Sequence, residues 1–320
     1  MQLPWAQPGW RESVAAWIDE TLRKNRFEAT GPVEYLRTRP WSGLARVPTT
    51  HSDIFFKADS PTLAFEPPLV VELAQRRPDC LPEVVAIDTD RGWLLTRDAG
   101  PPLRELLAGS KDPQIWDELL PLYAGLQIEL GGSVEELLEL GTPDDRPTTL
   151  RLAFEELFAR WNLDPRLLAL APEIEAYAER LGDTVPLSLI HEEFQDNNIC
   201  VGPSGPVLID WAEAAVGHPF AGLVVTMRGL ADRWGLEPGG PELARWRDAY
   251  LEPWTTFAPL SQLVDLFGLA YPLGMVSRAR AWDRILAPLA EADRAEYAHT
   301  VPAWLDVLAA TVEGTARLGT

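Results

Sequence analysis

The first apolar pattern in the chain is helical: Trp10, Val14, Trp17, Ile18 and Leu22 recur at three- and four-residue spacing, on one face of an amphipathic helix. From about Val33 the period changes. β-prone runs at 33–38, 44–49, 53–58, 83–88 and 92–97, divided by Pro, Gly and Asp turns, predict short strands. A helical stretch from Leu63 to Arg76 interrupts them. Three strands, a helix and two more strands predict an α+β unit on an antiparallel sheet. Asp98-Ala-Gly-Pro-Pro102 then has the composition of a linker. Beyond it helical periodicity dominates, over 103–108, 114–130, 149–162, 172–182, 220–234, 241–250, 260–285 and 301–317. A single strand–turn–strand is expected among these helices, with Ile199-Cys-Val201 and Val207-Leu-Ile209 joined by Gly202-Pro-Ser-Gly205. The pattern as a whole predicts two lobes with a cleft between them. The smaller spans 1–98 and includes the leading helix; the larger, mostly helical one spans 99–320.

Composition narrows the setting. A chain of 320 residues, 46% hydrophobic and 24% charged, is long enough for two lobes with their own cores. No apolar run in the sequence approaches the roughly 20 residues of a membrane span, so no membrane association is expected. Met1 to Trp10 contains Pro4 and Pro8 and has no basic head followed by an apolar stretch, so no secretion signal is expected. The two cysteines, Cys80 and Cys200, make neither a disulfide framework nor a zinc site, which suits a reducing cytoplasm. A net charge of −20 argues against a nucleic-acid partner, whose phosphates need a basic surface. It suits a cationic ligand or simply a well-solvated exterior. Positive charge comes almost wholly from arginine, so the lysines Lys24, Lys57 and Lys111 each merit inspection.

The chemistry concentrates in Ile190-His-Glu-Glu-Phe-Gln-Asp-Asn-Asn-Ile199, a polar stretch between two apolar ones. Asn198 falls five residues after Glu193, and Asp210 ends the next strand in Leu208-Ile-Asp-Trp211. Phosphoryl transfer needs such a set: a carboxylate near the attacking hydroxyl, then an amide oxygen and a second carboxylate that hold Mg²⁺ on the phosphates. A hairpin between Asn198 and Asp210 would bring two hard oxygen ligands to its open end.

This stretch resembles the aminoglycoside phosphotransferase and choline-kinase-like family of small-molecule kinases. Their catalytic loop runs roughly His-Gly-Asp-x-x-x-x-Asn, followed by a strand ending in Ile-Asp-Trp or Ile-Asp-Phe. The resemblance implies an α+β, bilobal protein-kinase-like fold and an ATP- and Mg²⁺-dependent transfer of phosphate to a hydroxyl of a small molecule: an aminoglycoside-like antibiotic, a sugar or an amino alcohol. By the same resemblance His191 orients the catalytic loop, Glu193 takes the place of the catalytic aspartate, and Asn198 and Asp210 hold Mg²⁺. Lys57, closing the third predicted strand, would bind the α- and β-phosphates. Glu66, nine residues on at the start of a helix, would pair with Lys57; Glu72 is the alternative partner. Pro40-Trp-Ser-Gly-Leu44 would be the phosphate loop, with Ser42 and Gly43 offering backbone N–H groups. The segment Trp211 to Phe220 also fits. After Asp210 there is no Phe-Gly pair or activation segment, which argues against a protein substrate.

Three positions depart from the family pattern. The phosphate loop has one glycine. Gly222 stands where many relatives carry an aspartate, expected to be a structural brace. Glu193 is one methylene longer than aspartate, and a displacement of about 1 Å in a catalytic group can cost on the order of 10²-fold in rate. This leaves a nucleotide-binding pseudo-kinase with a regulatory or scaffolding role as the alternative to an enzyme. Glu192 and Asp196 are candidates for contacting a cationic substrate, Glu213 for supporting the metal strand, and Trp254 and Trp282 for lining an acceptor pocket. His51, His218 and His299 read as structural.

Overall fold

The computed structural model describes residues 3–109 and 113–314, so Lys111 lies outside the described residues. In chain order the first elements are α1 (Trp10–Lys24), β1 (Glu34–Thr38), β2 (Ser42–Val47), β3 (Ile54–Asp59), α2 (Glu66–Arg76), β4 (Val84–Asp88) and β5 (Trp93–Arg97). Then follow α3 (Leu103–Leu106), α4 (Trp116–Leu130), α5 (Val134–Glu139), β6 (Asp144–Asp145), α6 (Pro147–Arg160), α7 (Pro165–Leu168) and α8 (Ala171–Leu181). The remainder comprises β7 (Ser188–Ile190), β8 (Ile199–Gly202), β9 (Gly205–Leu208), β10 (Ala215–Gly217), α9 (Val224–Trp234) and α10 (Pro241–Leu251). It closes with α11 (Leu260–Leu286), α12 (Glu291–Arg294) and α13 (Thr300–Val312). Two compact units result. One is built from Met1–Pro102, Ile199–Ala212 and Arg284–Tyr297, the other from Leu103–Asn198, Glu213–Asp283 and Ala298–Thr320.

In the first unit a five-stranded antiparallel sheet has the order β1-β2-β3-β5-β4. The apolar face of α1 (Val14, Ile18, Leu22) buries itself on Ala45, Val47, Ile54, Phe56, Trp93 and Leu95. Because side chains alternate along a strand, Phe56 facing α1 sends Lys57 to the opposite face. Helix α2 starts at Glu66 because Pro67 and Pro68 lack the N–H groups a first turn leaves unpaired anyway. The β8–β9 hairpin is tighter than expected. Ile199 pairs with Leu208 and Gly202 with Gly205, and Gly205 takes φ +128°, a conformation L-residues avoid. Its Leu208 N–H donates to the Cys80 carbonyl at 2.8 Å, tying the hairpin to the end of α2.

The second unit is helical, with two corrections to the sequence expectation. Besides the hairpin, three short strands form a sheet of order β6-β10-β7, with β10 parallel to β6 and antiparallel to β7. Strands of two or three residues are too short to display the alternation by which a strand is recognised. The predicted helix 220–234 divides into a 3₁₀ turn, Pro219–Leu223, and α9. Helix α11 approaches the 3₁₀ turn closely: a Cβ on Gly274 would lie 2.2 Å from the Ala221 carbonyl oxygen. With 27 residues and a mean hydropathy of 1.2 over its most apolar 18-residue stretch, α11 is also long and apolar enough to cross a membrane, although 61% of that stretch is buried in the protein.

Candidate active site

In the first unit the structure brings Lys57, Glu66 and Asp210 together. The Lys57 ammonium lies 2.6 Å from Glu66 Oε2 and 2.6 Å from Asp210 Oδ1, with Asp59 Oδ1 at 3.6 Å. Burial works against the Lys57 charge, but Asp210, Asp59 and Glu66 outweigh it and hold the ammonium well above its ordinary range. Asp59 is raised as well, which favours its neutral form. Burial, then the negative charges of Glu66 and Asp210, push its carboxyl well above the usual range, against the pull of Lys57. Glu66 also accepts from the Trp211 backbone N–H at 2.6 Å. That bond anchors the chain directly after Asp210, whose φ of +65° is unusual for a residue with a side chain. Glu72, the alternative partner for Lys57, pairs with Arg76 instead. Ser42 and Gly43 are strand residues, not a loop. They face Asp59 and Ala58 across the β2–β3 ladder, and the connection from β1 to β2 is the short turn Arg39-Pro40-Trp41.

In the second unit the polar stretch 191–198 is a buried loop. The backbone N–H of His191 donates to Tyr123 Oη at 2.9 Å, and Glu193 N–H donates to His191 Nδ1 at 3.3 Å. The fully buried imidazole is thus a template on which the loop turns. Asn198 Nδ2 donates to the Glu193 carbonyl at 3.1 Å. The Phe194 ring stacks on Tyr123 at 4.2 Å, and its carbonyl accepts from the Thr226 hydroxyl at 2.6 Å. Arg278, on α11, donates to both Glu193 and Glu213.

The first unit thus carries a carboxylate, Asp210, beside a paired lysine, and the second carries a loop with a carboxylate, Glu193, and an amide, Asn198; each is a kind of group that phosphoryl transfer employs. The Phosphotransferase enzyme family matches residues 54–260, which include Lys57, Glu66, the 191–198 loop and Asp210. The chain belongs to this family. As a member it is a phosphotransferase enzyme. Solved structures agree on the protein-kinase-like α+β fold. The GDP complex of aminoglycoside 2'-phosphotransferase-IIIa is similar over 93% of this chain and 98% of its own, with TM-score 0.62 and 15% identity. Choline kinase LicA from Streptococcus pneumoniae is similar over 92% and 99%, with TM-score 0.59 and 13% identity. Plasmodium vivax ethanolamine kinase is similar over 89% and 83%, with TM-score 0.60 and 12% identity. No curated protein matches the sequence significantly.

Several other acids of this phosphotransferase are committed within the second unit. Asp196 is buried and accepts from Arg104 and Arg233, each at 2.8 Å, which fixes the loop rather than presenting a charge to a ligand. Glu192 is buried too, with φ +64°, and the Ser277 hydroxyl lies between it and Asp145. Asp145 is in turn paired with Arg280 at 2.5 Å. Gly222 is a tight position: a Cβ there would lie 3.1 Å from Ile190 Cβ and 3.3 Å from Tyr123 Oη, so any side chain requires these neighbours to give. His218 is buried, and burial lowers its pKa to about 3, so it is a neutral structural group that accepts from the Phe220 N–H at 3.4 Å. Trp254 is a fully buried core residue against Phe220, whereas Trp282 lies over the Arg278 guanidinium at 5.4 Å. Sequence reasoning missed Ser277, Arg278 and Asp59. Ser277 and Arg278 end the uncharged run Leu266–Val276 of α11, which is the signal for them, and Asp59 ends the strand that carries Lys57.

Proposed function

We propose that this phosphotransferase moves the γ-phosphoryl group of ATP to a hydroxyl of a small molecule, with Mg²⁺ on the nucleotide. The observation that carries the reading is the Lys57 ammonium held by Glu66 and Asp210 on the strand face opposite the core. Held there, Lys57 supplies a fixed positive charge for the α- and β-phosphates. Asp210 is the residue that would leave Lys57 for the metal when nucleotide binds, while Glu66 keeps the lysine in place.

Asn198 and Asp210 each have the chemistry of a magnesium ligand. Asn198 spends its amide nitrogen on the Glu193 carbonyl, so its amide oxygen is directed elsewhere. Asp210 keeps 33% of its side chain exposed. A carboxylate and an amide oxygen are the hard ligands Mg²⁺ takes alongside phosphate oxygens. When bound, the ion neutralises charge on the transferring phosphoryl group. Glu193 takes up the acceptor side. The acceptor oxygen bonds to the γ-phosphorus as the bond to the β–γ bridging oxygen breaks. ADP departs, and the hydroxyl proton passes to the Glu193 carboxylate.

The nucleotide is supported by the relatives in complex with GDP and AMP. For the acceptor, relatives named as aminoglycoside, choline and ethanolamine kinases point to amine-bearing alcohols. A net charge of −20 suits a cation of this type. The site of the reaction would be the cytoplasm, where ATP is plentiful.

The test is a melting-temperature measurement with a non-hydrolysable ATP analogue, with and without Mg²⁺, alongside a panel of hydroxyl compounds scored for ADP release. A ligand that binds only the folded state raises the midpoint by mass action. Wild type should gain stability with the analogue and more with Mg²⁺, and Asp210→Asn should lose the Mg²⁺-dependent part while remaining folded. No shift with any purine nucleotide at millimolar concentration would overturn the reading.

A further inference from the structure

We propose that Arg278 is a positioning residue that sets where the Glu193 carboxylate stands. This rests on Glu193 serving the acceptor hydroxyl, as above. Arg278 lies on α11, beyond the residues 54–260 that match the family.

The geometry is specific. The Arg278 side chain is only 3% exposed, and its two terminal nitrogens divide their work: Nη2 donates to Glu193 Oε1 and Nη1 to Glu213 Oε2. Trp282, one turn further along the helix, backs the guanidinium. The ion is therefore held from two sides while one arm reaches the loop. Ser277, the preceding residue, grips Glu192, whose φ of +64° is a conformation that surroundings must enforce. Consecutive residues of a rigid helix thus hold consecutive residues of the loop, the arrangement that places a reacting group best.

Side-chain length explains the pairing. Glutamate has one more rotatable bond than aspartate, so an untethered Glu193 would spread its carboxylate over positions more than 1 Å apart, and misplacement of that size costs on the order of 10²-fold. An aspartate at 193 would in turn fall short of Arg278 by about one carbon–carbon bond, outside hydrogen-bond distance. A buried arginine between two carboxylates is also a poor choice for stability alone, since apolar replacements of such groups are often neutral or stabilising. Glu193 meanwhile retains 24% exposure, through which an acceptor can reach it.

The experiment is a double-mutant cycle. Arg278→Met, Arg278→Lys, Glu193→Gln and the doubles are assayed for ADP release from Mg²⁺ and ATP with water as the acceptor, with nucleotide affinity measured in parallel. Arg278→Met should lower turnover on the order of 10²-fold with nucleotide affinity unchanged, and Arg278→Lys should recover part of the loss. In the Glu193→Gln background Arg278→Met should cost less than about threefold, because a residue that acts through another has nothing left to act on. Equal losses in both backgrounds overturn the proposal, as does an Arg278→Met enzyme with wild-type turnover. If Arg278→Met does not fold, Arg278→Lys completes the cycle under the same criteria. Crystal structures add a readout independent of activity. The Glu193 carboxylate should shift or take several rotamers in the Arg278 variants, and an unmoved carboxylate also refutes the role. A wild-type protein that neither binds nor turns over nucleotide would instead refute the proposed function, with the crystal structures still deciding what Arg278 does.

Discussion

Replacing Lys57 with methionine removes the cation that pairs with Asp59, Glu66 and Asp210 while keeping most of its volume. The consequence follows from burial. Side-chain exposure is 1% for Glu66, 1% for Asp59 and 15% for Lys57, so the lost charge is not replaced by water. Breaking a buried pair by removing one partner costs about 3–5 kcal/mol, because the remaining ion is left uncompensated. Here the remaining group can escape by taking up a proton. Asp59, already raised by burial and by the charges of Glu66 and Asp210, then loses the Lys57 charge that pulls it down and rises further above its unfolded value. A group raised in this way favours the fold below its unfolded pKa and loses that contribution as pH rises through the folded one. The deficit of Lys57→Met should therefore be about 3–5 kcal/mol at pH 8 and less than half of that at pH 5. Urea denaturation at both pH values measures it. A deficit under about 1 kcal/mol at pH 8, or one equal at the two pH values, would contradict the cluster as described, since either demands that water or another cation neutralises Glu66.

Two further expectations concern the second unit. Gly222→Ala should destabilise by about 1–3 kcal/mol and Gly222→Asp by more, read as a fall in melting temperature; an aspartate variant as stable as wild type would mean that Ile190 and Tyr123 yield easily. His218, lowered from 6.5 to about 3 by burial, stays neutral in the fold while the unfolded chain protonates. Its contribution is present above pH 6.5 and is lost as pH falls from there towards 3. Below pH 6 wild type should lose up to about 1.4 kcal/mol per pH unit from this one group; His218→Gln should flatten that slope, and identical slopes would refute the assignment.

The sheet of the first unit was legible because each strand there is long enough to show its period. Ile54, Phe56 and Ala58 alternate with Phe55 and Lys57, and that alternation, met from the other side by the Val14–Ile18–Leu22 stripe, already fixes which face Lys57 takes. Glu66 as its partner followed from the start of α2. The strands β6, β7 and β10 were not legible, because two or three residues carry no period and their pairing joins segments far apart in sequence. The expected phosphate loop shortened for a related reason. Ser42 and Gly43 have weak strand propensity, but cross-strand pairing with Asp59 and Ala58 overrides it.

By itself, then, the sequence determined the local periods, the α+β class and the identity of the chemical groups, because these depend on residue type and near spacing alone. Tertiary structure alone decided how the charges are shared. Asp196 is consumed by Arg104 and Arg233, Glu192 by Ser277, and Glu193 and Glu213 by Arg278, while Asp59 crowds a lysine already holding two carboxylates. An exposed acid and a buried, paired one are the same letter in a sequence. What separates them is the absence of water and the arrival of an arginine from a helix some 85 residues further along the chain, and both are properties of packing.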